Sequence, residues 1–205
     1  INTIPRLFWD SVKSRGEKVA MREKDLGIWQ EISWSHYGER AKLTGLALHT
    51  LGLEKGNVVS IASEGNPEWL YTDMGTIGAG GISSGVYTTD SAAQVKYLVN
   101  DSATKFYFAE NEEQLDKILE VRSECSTLKK IIVYDMEGLN DFHDDQVISY
   151  EEFLKIGEKT NQEIVQMKSV EALFYFKDDT MLEVRSDFGT YNNKTLDMSF
   201  KQNVE

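Results

Sequence analysis

The chain has 205 residues, with 34 acidic against 22 basic side chains and a formal charge of -12. That length fits one ordinary domain, or one domain with a small appendage, and 40% apolar residues suffice for a core. The acidity argues against nucleic acid as the main partner, because such affinity rests on Lys and Arg neutralising phosphates, and no basic run offsets it.

In chain order, Ile4, Leu7, Phe8 and Val12 recur at helical spacing, which predicts a helix from about Ile4 to Ser14, closed by Gly16. Val19 to Arg22 and Trp29 to Trp34 read as two short strands around an Asp25-Leu26-Gly27 turn. Ser35 is the expected cap of a helix carrying Tyr37, Ala41, Leu43, Leu46, Ala47 and Leu48, ended by Gly52. From there apolar strands and helices alternate. The strands are Val58 to Ala62, Gly81 to Val86, Lys105 to Ala109 and Ile131 to Tyr134. The helices follow Pro67, Ser91 and Glu112, and Ser149-Tyr150-Glu151-Glu152 reads as a capping box opening a last helix to about Lys159. Continuous apolar strands each followed by a helix predict an α/β fold, a mostly parallel sheet with helices on both faces.

After about Gln166 the character changes. Residues 172–185 read as a hairpin turning at Asp178-Asp179. Gly189 to Tyr191 and Leu196 to Phe200, separated by Asn192-Asn193-Lys194, read as a second one. The expected division is therefore an α/β subdomain over 1–165 and a β-rich tail over 167–205.

Five of the fifteen glycines lie between Gly75 and Gly85. A dinucleotide fingerprint would follow a strand and open a helix, with its third glycine where Ser83 stands. Here a helix runs into the glycines and a strand leaves them. A P-loop would end in Gly-Lys, and no Lys occurs between Lys55 and Lys96. The glycines are expected to end a helix and let it pack closely on the sheet.

Other residues with chemical potential favour structural roles. Cys125 is the single cysteine, so no internal disulfide or Cys-based zinc cluster can form, and a buried thiol is expected. His36, His49 and His143 lack the spacing or carboxylate partners of a metal site. His143 lies in the acidic stretch Asn140 to Asp145, which lacks the glycine and terminal Glu of a calcium loop. Ser83-Ser84 lacks a nucleophile elbow. Trp9, Trp29, Trp34 and Trp69 read as core aromatics, with lining of an acyl tunnel as the alternative. Asn100-Asp101-Ser102 and Asn193-Lys194-Thr195 match a glycosylation pattern that means nothing without a secretory signal. The start, INTIPRLFWD, lacks a signal layout and also lacks Met, leaving room for a missing piece. No apolar run reaches the ~20 residues that span a bilayer. A cytoplasmic location is expected.

Four stretches together carry a family resemblance: DLGIWQEISWSHYGER at 25–40, GLALHTLGLEKGNVVSI at 45–61, SEGNPEWL at 63–70, and IGAGGISSGVYTTD at 77–90 continuing as SAAQVKYLVNDS to 102. In order and spacing they resemble the N-terminal part of long-chain acyl-CoA synthetases of the adenylate-forming, AMP-binding superfamily. The resemblance covers about residues 1–165. Departures are Gly56-Asn57-Val58-Val59 in place of Gly-Asp-Arg-Val, and Gly65-Asn66 in place of Asn-Arg. It implies ATP-dependent activation of a fatty acid to an acyl-adenylate and then an acyl-CoA, using ATP, Mg²⁺ and CoA, with a possible homodimer. The family's phosphate loop, ending in Pro-Lys-Gly, is expected shortly after residue 165. The only prolines are Pro5 and Pro67, so these 205 residues hold no such loop. No catalytic, cofactor-binding or metal residue carries over, and the substrate-binding residues are unknown. The chain alone is expected to bind none of the cofactors fully and to be inactive. The rival expectations are a stand-alone non-catalytic module and a flavodoxin-like nucleotide-binding domain.

Overall fold

The computed structural model describes residues 3–175, 181–192, 198–201 and 204. The chain forms two compact units, Ile1–Glu158 and Lys159–Glu205.

The first unit begins with α1 (Ile4–Arg15), capped by the Thr3 hydroxyl and closed at Gly16. A hairpin of β1 (Val19–Asp25) and β2 (Ile28–Ser33) follows. It feeds α2 (Trp34–Thr50), whose cap is Ser33 and not Ser35. An N-cap needs extended backbone, and the last residue of β2 already has it (φ -77, ψ 161), so the Ser33 hydroxyl accepts from His36 N at 3.1 Å.

Next come β3 (Val58–Ala62), α3 (Pro67–Gly78), β4 (Ile82–Val86), α4 (Ala92–Asp101), β5 (Phe106–Ala109), α5 (Glu112–Val121) and β6 (Lys130–Val133). Then follow β7 (Val147–Ser149) and α6 (Tyr150–Glu163). Both departures from the usual motif have local work. Asn66 caps α3, accepting from Trp69 N at 2.9 Å, and Asn57 Oδ1 accepts from Glu54 N at 3.1 Å. The expected capping box at Ser149–Glu152 is formed, and the expected cap at Ser91 proves to be a capping box as well, completed by Gln94.

The five strands form one parallel sheet in the order β4-β3-β5-β6-β7. The α/β expectation holds. The strand alternation splits the core in two. Tyr107, Ala109, Ile131 and Val133 pack on Val95 and Val99 of α4 and Leu115 and Ile118 of α5. Phe106, Phe108 and Ile132 pack on Leu43, Ala47 and Leu48 of α2 and Phe153 of α6. Cys125 lies in the first core, and burial pushes its thiol up, as expected of a structural cysteine.

The sequence reading has no strand at β7. Three residues are too few to show a pattern, and their pairing is set from outside. Ile131 N donates to Gln146 O at 2.9 Å, and Arg122 holds Asp144 in a two-pronged pair at 2.6 and 2.8 Å. The Arg122 guanidinium, followed by the Gln146 backbone N–H, holds the Asp144 carboxyl below its usual range. Its stabilising contribution is therefore complete above the unfolded carboxylate value of about 3.9 and is lost as pH falls through the lower folded value. Asp144→Asn should lower the melting temperature at pH 7 and flatten its fall below about pH 4, as thermal unfolding followed by circular dichroism would report. An unchanged acid limb would refute this role.

The glycines at the end of α3 act partly as expected. Gly80, at φ +86, ends the helix. The close approach is made to α2, however, and not to the sheet. A Cβ on Gly75 would lie 2.7 Å from both Ala41 O and Thr44 Cβ.

In the second unit, β8 (Ile164–Tyr175), β9 (Met181–Asn192) and β10 (Met198–Lys201) form an antiparallel sheet in the order β10-β9-β8. The pairing runs from Ile164 opposite Asn192 to Tyr175 opposite Met181, so β8 starts well before the expected residue 172. The expected turn at Asp178-Asp179, and Asn193-Lys194 of the second turn, lie outside the described residues.

Candidate functional site

In an open parallel sheet, ligands favour the carboxyl ends of the strands, and above all the point where the strand order reverses. Here that point lies between β3 and β5. Its polar groups are already committed to one another. Glu64 N donates to Glu110 Oε2 at 2.8 Å, and the Thr88 hydroxyl donates to Glu64 Oε1 at 2.5 Å. Lys117 Nζ donates to Thr88 O at 2.6 Å and pairs with Glu113 at 3.0 Å. The Tyr-Thr-Thr element after β4 thus serves as a clamp joining the loops that leave β3, β4 and β5.

Beside this clamp, on the α2 and α6 side of the sheet, is a cavity of about 390 Å³. Three strand ends build it. Pro67, Glu68 and Tyr71 open α3 after β3, Tyr134 follows β6, and Tyr150, Glu151 and Leu154 open α6 after β7. His36 and Arg40 of α2 and Glu23, Gln30 and Ile32 of the hairpin complete the wall. The phenols are anchored differently. Tyr134 donates to Thr72 Oγ1 at 2.7 Å, and the Tyr150 hydroxyl shares a 3.3 Å hydrogen bond with Thr44. The two rings meet edge to face at 5.1 Å. Burial pushes both phenols up.

Tyr71 is only 3% exposed. Burial raises its phenol to about 12, with Glu68 and Glu23 adding to the rise and Arg40 opposing it. Burial also raises the Glu23 carboxyl, helped by the neighbouring charges of Glu68 and Asp25. Sequence reasoning missed this group, although each residue after a strand carries the one available signal, its place at a carboxyl end.

The residues weighed in the sequence fall as follows. His36 is exposed at the cavity rim, where its Nε2 accepts from Arg40 Nε at 3.5 Å. His49 and His143 are exposed elsewhere, and no cluster of metal-ligating side chains occurs among the described residues. Ser83 Oγ is buried and has no hydrogen-bond partner among the described residues. Trp34 and Trp69 pack against core clusters, whereas Trp9 and Trp29 are exposed, at 37% and 63%, contrary to a core role. No helix among the described residues is long and apolar enough to cross a membrane.

A parallel α/β sheet with the four sequence stretches in register matches one family model, described as AMP-binding enzyme, over residues 8–175. The chain belongs to the AMP-binding enzyme family. The match runs past residue 165, where the resemblance read from the sequence stops. Among AMP-binding relatives, the human long-chain-fatty-acid–CoA ligase ACSBG1 is 30% identical over 161 residues, covering 78% of this chain and 22% of the relative. The Xenopus laevis long-chain-fatty-acid–CoA ligase ACSBG2 is 34% identical over 155 residues, covering 76% and 21%. The chain therefore spans about a fifth of the length of the curated relatives it matches. Two solved structures share the fold. The anthranilate CoA ligase AuaEII with anthranoyl-AMP has a TM-score of 0.63 at 20% identity, covering 74% of this chain and 26% of that one. The adenylation domain of a carboxylate reductase from Mycobacterium chelonae has a TM-score of 0.65 at 12% identity, covering 91% and 34%.

The AMP-binding family uses ATP, Mg²⁺ and CoA in general. Among the described residues, the glycines at the end of α3 follow a helix and do not open one, as a phosphate-cradling loop would require.

Proposed function

We propose that this chain is the N-terminal subdomain of a long-chain fatty-acid–CoA ligase and carries out no adenylation by itself. The observation that carries the reading is the identity of 30% and 34% to long-chain ligases, confined to about a fifth of their length. In the whole enzyme a fatty-acid carboxylate, a poor acyl donor, would attack ATP to give an acyl-adenylate and pyrophosphate. The CoA thiol would then displace AMP. Stabilising the charge on the departing pyrophosphate is electrostatic work for a phosphate loop and a metal. This subdomain contributes a scaffold, with its strand-end loops clamped through Thr88, Glu64 and Glu110. A division into a subdomain over 1–165 and a separate tail over 167–205, a cytoplasmic location and homodimer formation belong to the same proposal.

Reading the coding sequence beyond residue 205 in all frames tests it. A downstream Thr/Ser/Gly-rich loop ending in Pro-Lys-Gly supports the ligase reading. A stop directly after Glu205 with no such loop overturns it and leaves a stand-alone interaction module. Ile82, Tyr87 and Tyr97, 53%, 79% and 66% exposed on β4, its following loop and α4, favour that second reading.

A further inference from the structure

The outer edge of β4 is open. Ile82 N donates to Asn57 O just ahead of β3, and the parallel register then runs unbroken from Val58 opposite Ile82 to Ala62 opposite Val86. Alternation turns the N–H and C=O groups of Ile82, Ser84 and Val86 toward β3 and those of Ser83 and Gly85 outward. The outward groups meet no backbone partner among the described residues. Sheets ordinarily blunt such an edge with a charge, a proline or a bulge, because a row of free donors and acceptors invites another strand. Strand β4 has none of the three. Ile82 and Tyr87 add apolar surface, 53% and 79% exposed.

Gly85 is a second, independent observation. Glycine weakens a strand and ordinarily marks a bulge, a bend or the close approach of another backbone. The register has no bulge at Gly85, its φ is not in the left-handed region, and a Cβ there would meet nothing within 4 Å. Nothing inside the unit asks for a glycine, which leaves a backbone approaching from outside.

Charge selects which strand. Two bodies of charge -12 repel, and a two-fold contact sets each group against its own kind. Met74 to Thr89 is the longest run in the chain without a charged side chain, so self-contact costs least there. Antiparallel pairing about a two-fold axis at Ser84 sets Ser83 opposite the partner's Gly85, so that each outward N–H meets an outward C=O. The same register sets Gly80 opposite the partner's Thr88. Lys55 lies beside Gly80, its Cγ 3.8 Å from the Cβ position there, and so faces the strand end that the partner's Asp90 follows.

We propose that two copies of this chain associate edge to edge through β4, joining their parallel sheets into one. This gives the homodimer proposed above a surface. It needs none of the ligase chemistry and can fail while the ligase reading stands.

Sedimentation velocity of the 205-residue chain over a hundredfold range of concentration is the test. The expected result is a monomer–dimer equilibrium with a Kd on the order of 100 µM, as befits a small interface. Ser83→Pro removes an outward N–H where an edge strand tolerates proline, and Ile82→Lys adds the charge that edges usually carry. Each should weaken association about tenfold. Leu26→Ser, at a 95% exposed residue in the β1–β2 turn, should leave it unchanged. Hydrogen exchange of the unsubstituted chain gives a second reading, with the Ser83 and Gly85 amides becoming protected as concentration rises. A chain that stays monomeric throughout would leave this edge to a foreign strand or to a strand of a longer ligase, and would overturn the proposal. A dimer that survives both β4 substitutions, equal loss in Leu26→Ser, or amides whose exchange ignores concentration would overturn it too.

Discussion

Gly157→Ala should destabilise the first unit by about 2–3 kcal/mol, the cost of inserting a methyl group where nothing can yield. Gly157 sits on the buried face of α6, and a Cβ there would collide with Leu43 O of α2. The obstacle is helix backbone, not the end of a flexible side chain. Relief requires α2 and α6 to separate. That would loosen Leu43, Ala47 and Leu48 on one side and Phe153 on the other, the residues that cover Phe106 and Phe108. Ala is the better helix former, so local propensity favours the substitution by about 1 kcal/mol. The net sign therefore reports packing alone. Urea unfolding followed by tryptophan fluorescence is the measurement, and a variant equal to or more stable than the parent would show that the helices do not meet here.

Phe108→Ala should cost more, about 3–5 kcal/mol. Phe108 is fully buried in the central strand β5. Its ring meets Phe153 edge to face at 5.3 Å and Tyr134 at 5.7 Å. Removing it takes away transferred apolar surface and leaves a void between the sheet and α6. Tyr134 and Tyr150 line the cavity at the strand ends and rest on this ring and on Phe153. A loss below about 1 kcal/mol would mean that the void collapses, and that β5 is less central to the core than its burial indicates.

Much of the architecture is legible in the residues, for a definite reason. Phe106 to Ala109 and Ile131 to Val133 are unbroken apolar runs, as expected of strands covered on both faces. Ser91 and Ser149 carry complete capping signals, and each helix begins where they stand. What escaped was set by tertiary partners. Strand β7 has three residues and exists because β6 and the Arg122–Asp144 pair hold it in register. The cap of α2 moved to Ser33 because the hairpin ends there. The glycines of α3 suggest close packing on the sheet, whereas Gly75 meets α2, because spacing alone does not say which neighbour a helix approaches.

The cavity was illegible for a deeper reason. Glu68, Tyr134 and Tyr150 follow three different strands, β3, β6 and β7, far apart along the chain. They meet only because the parallel order β3-β5-β6-β7 brings the carboxyl ends of those strands to one edge of the sheet. Hydrophobic periodicity identifies strands and says nothing about their order. The family resemblance did carry that information, because the order belongs to the fold, but no motif quoted for it names these tyrosines.

Fatty-acid-stimulated exchange of labelled pyrophosphate into ATP tests the central claim most directly. Adenylation is reversible, so the exchange reports the first half-reaction without any need for CoA. With the purified 205-residue chain, Mg²⁺, ATP and palmitate, the expected result is exchange no faster than with protein omitted. The described residues supply no metal-donor cluster, and the sequence holds no Pro-Lys-Gly. Exchange that depends on both palmitate and this chain would contradict the account, and would place the chemistry of adenylation within these residues.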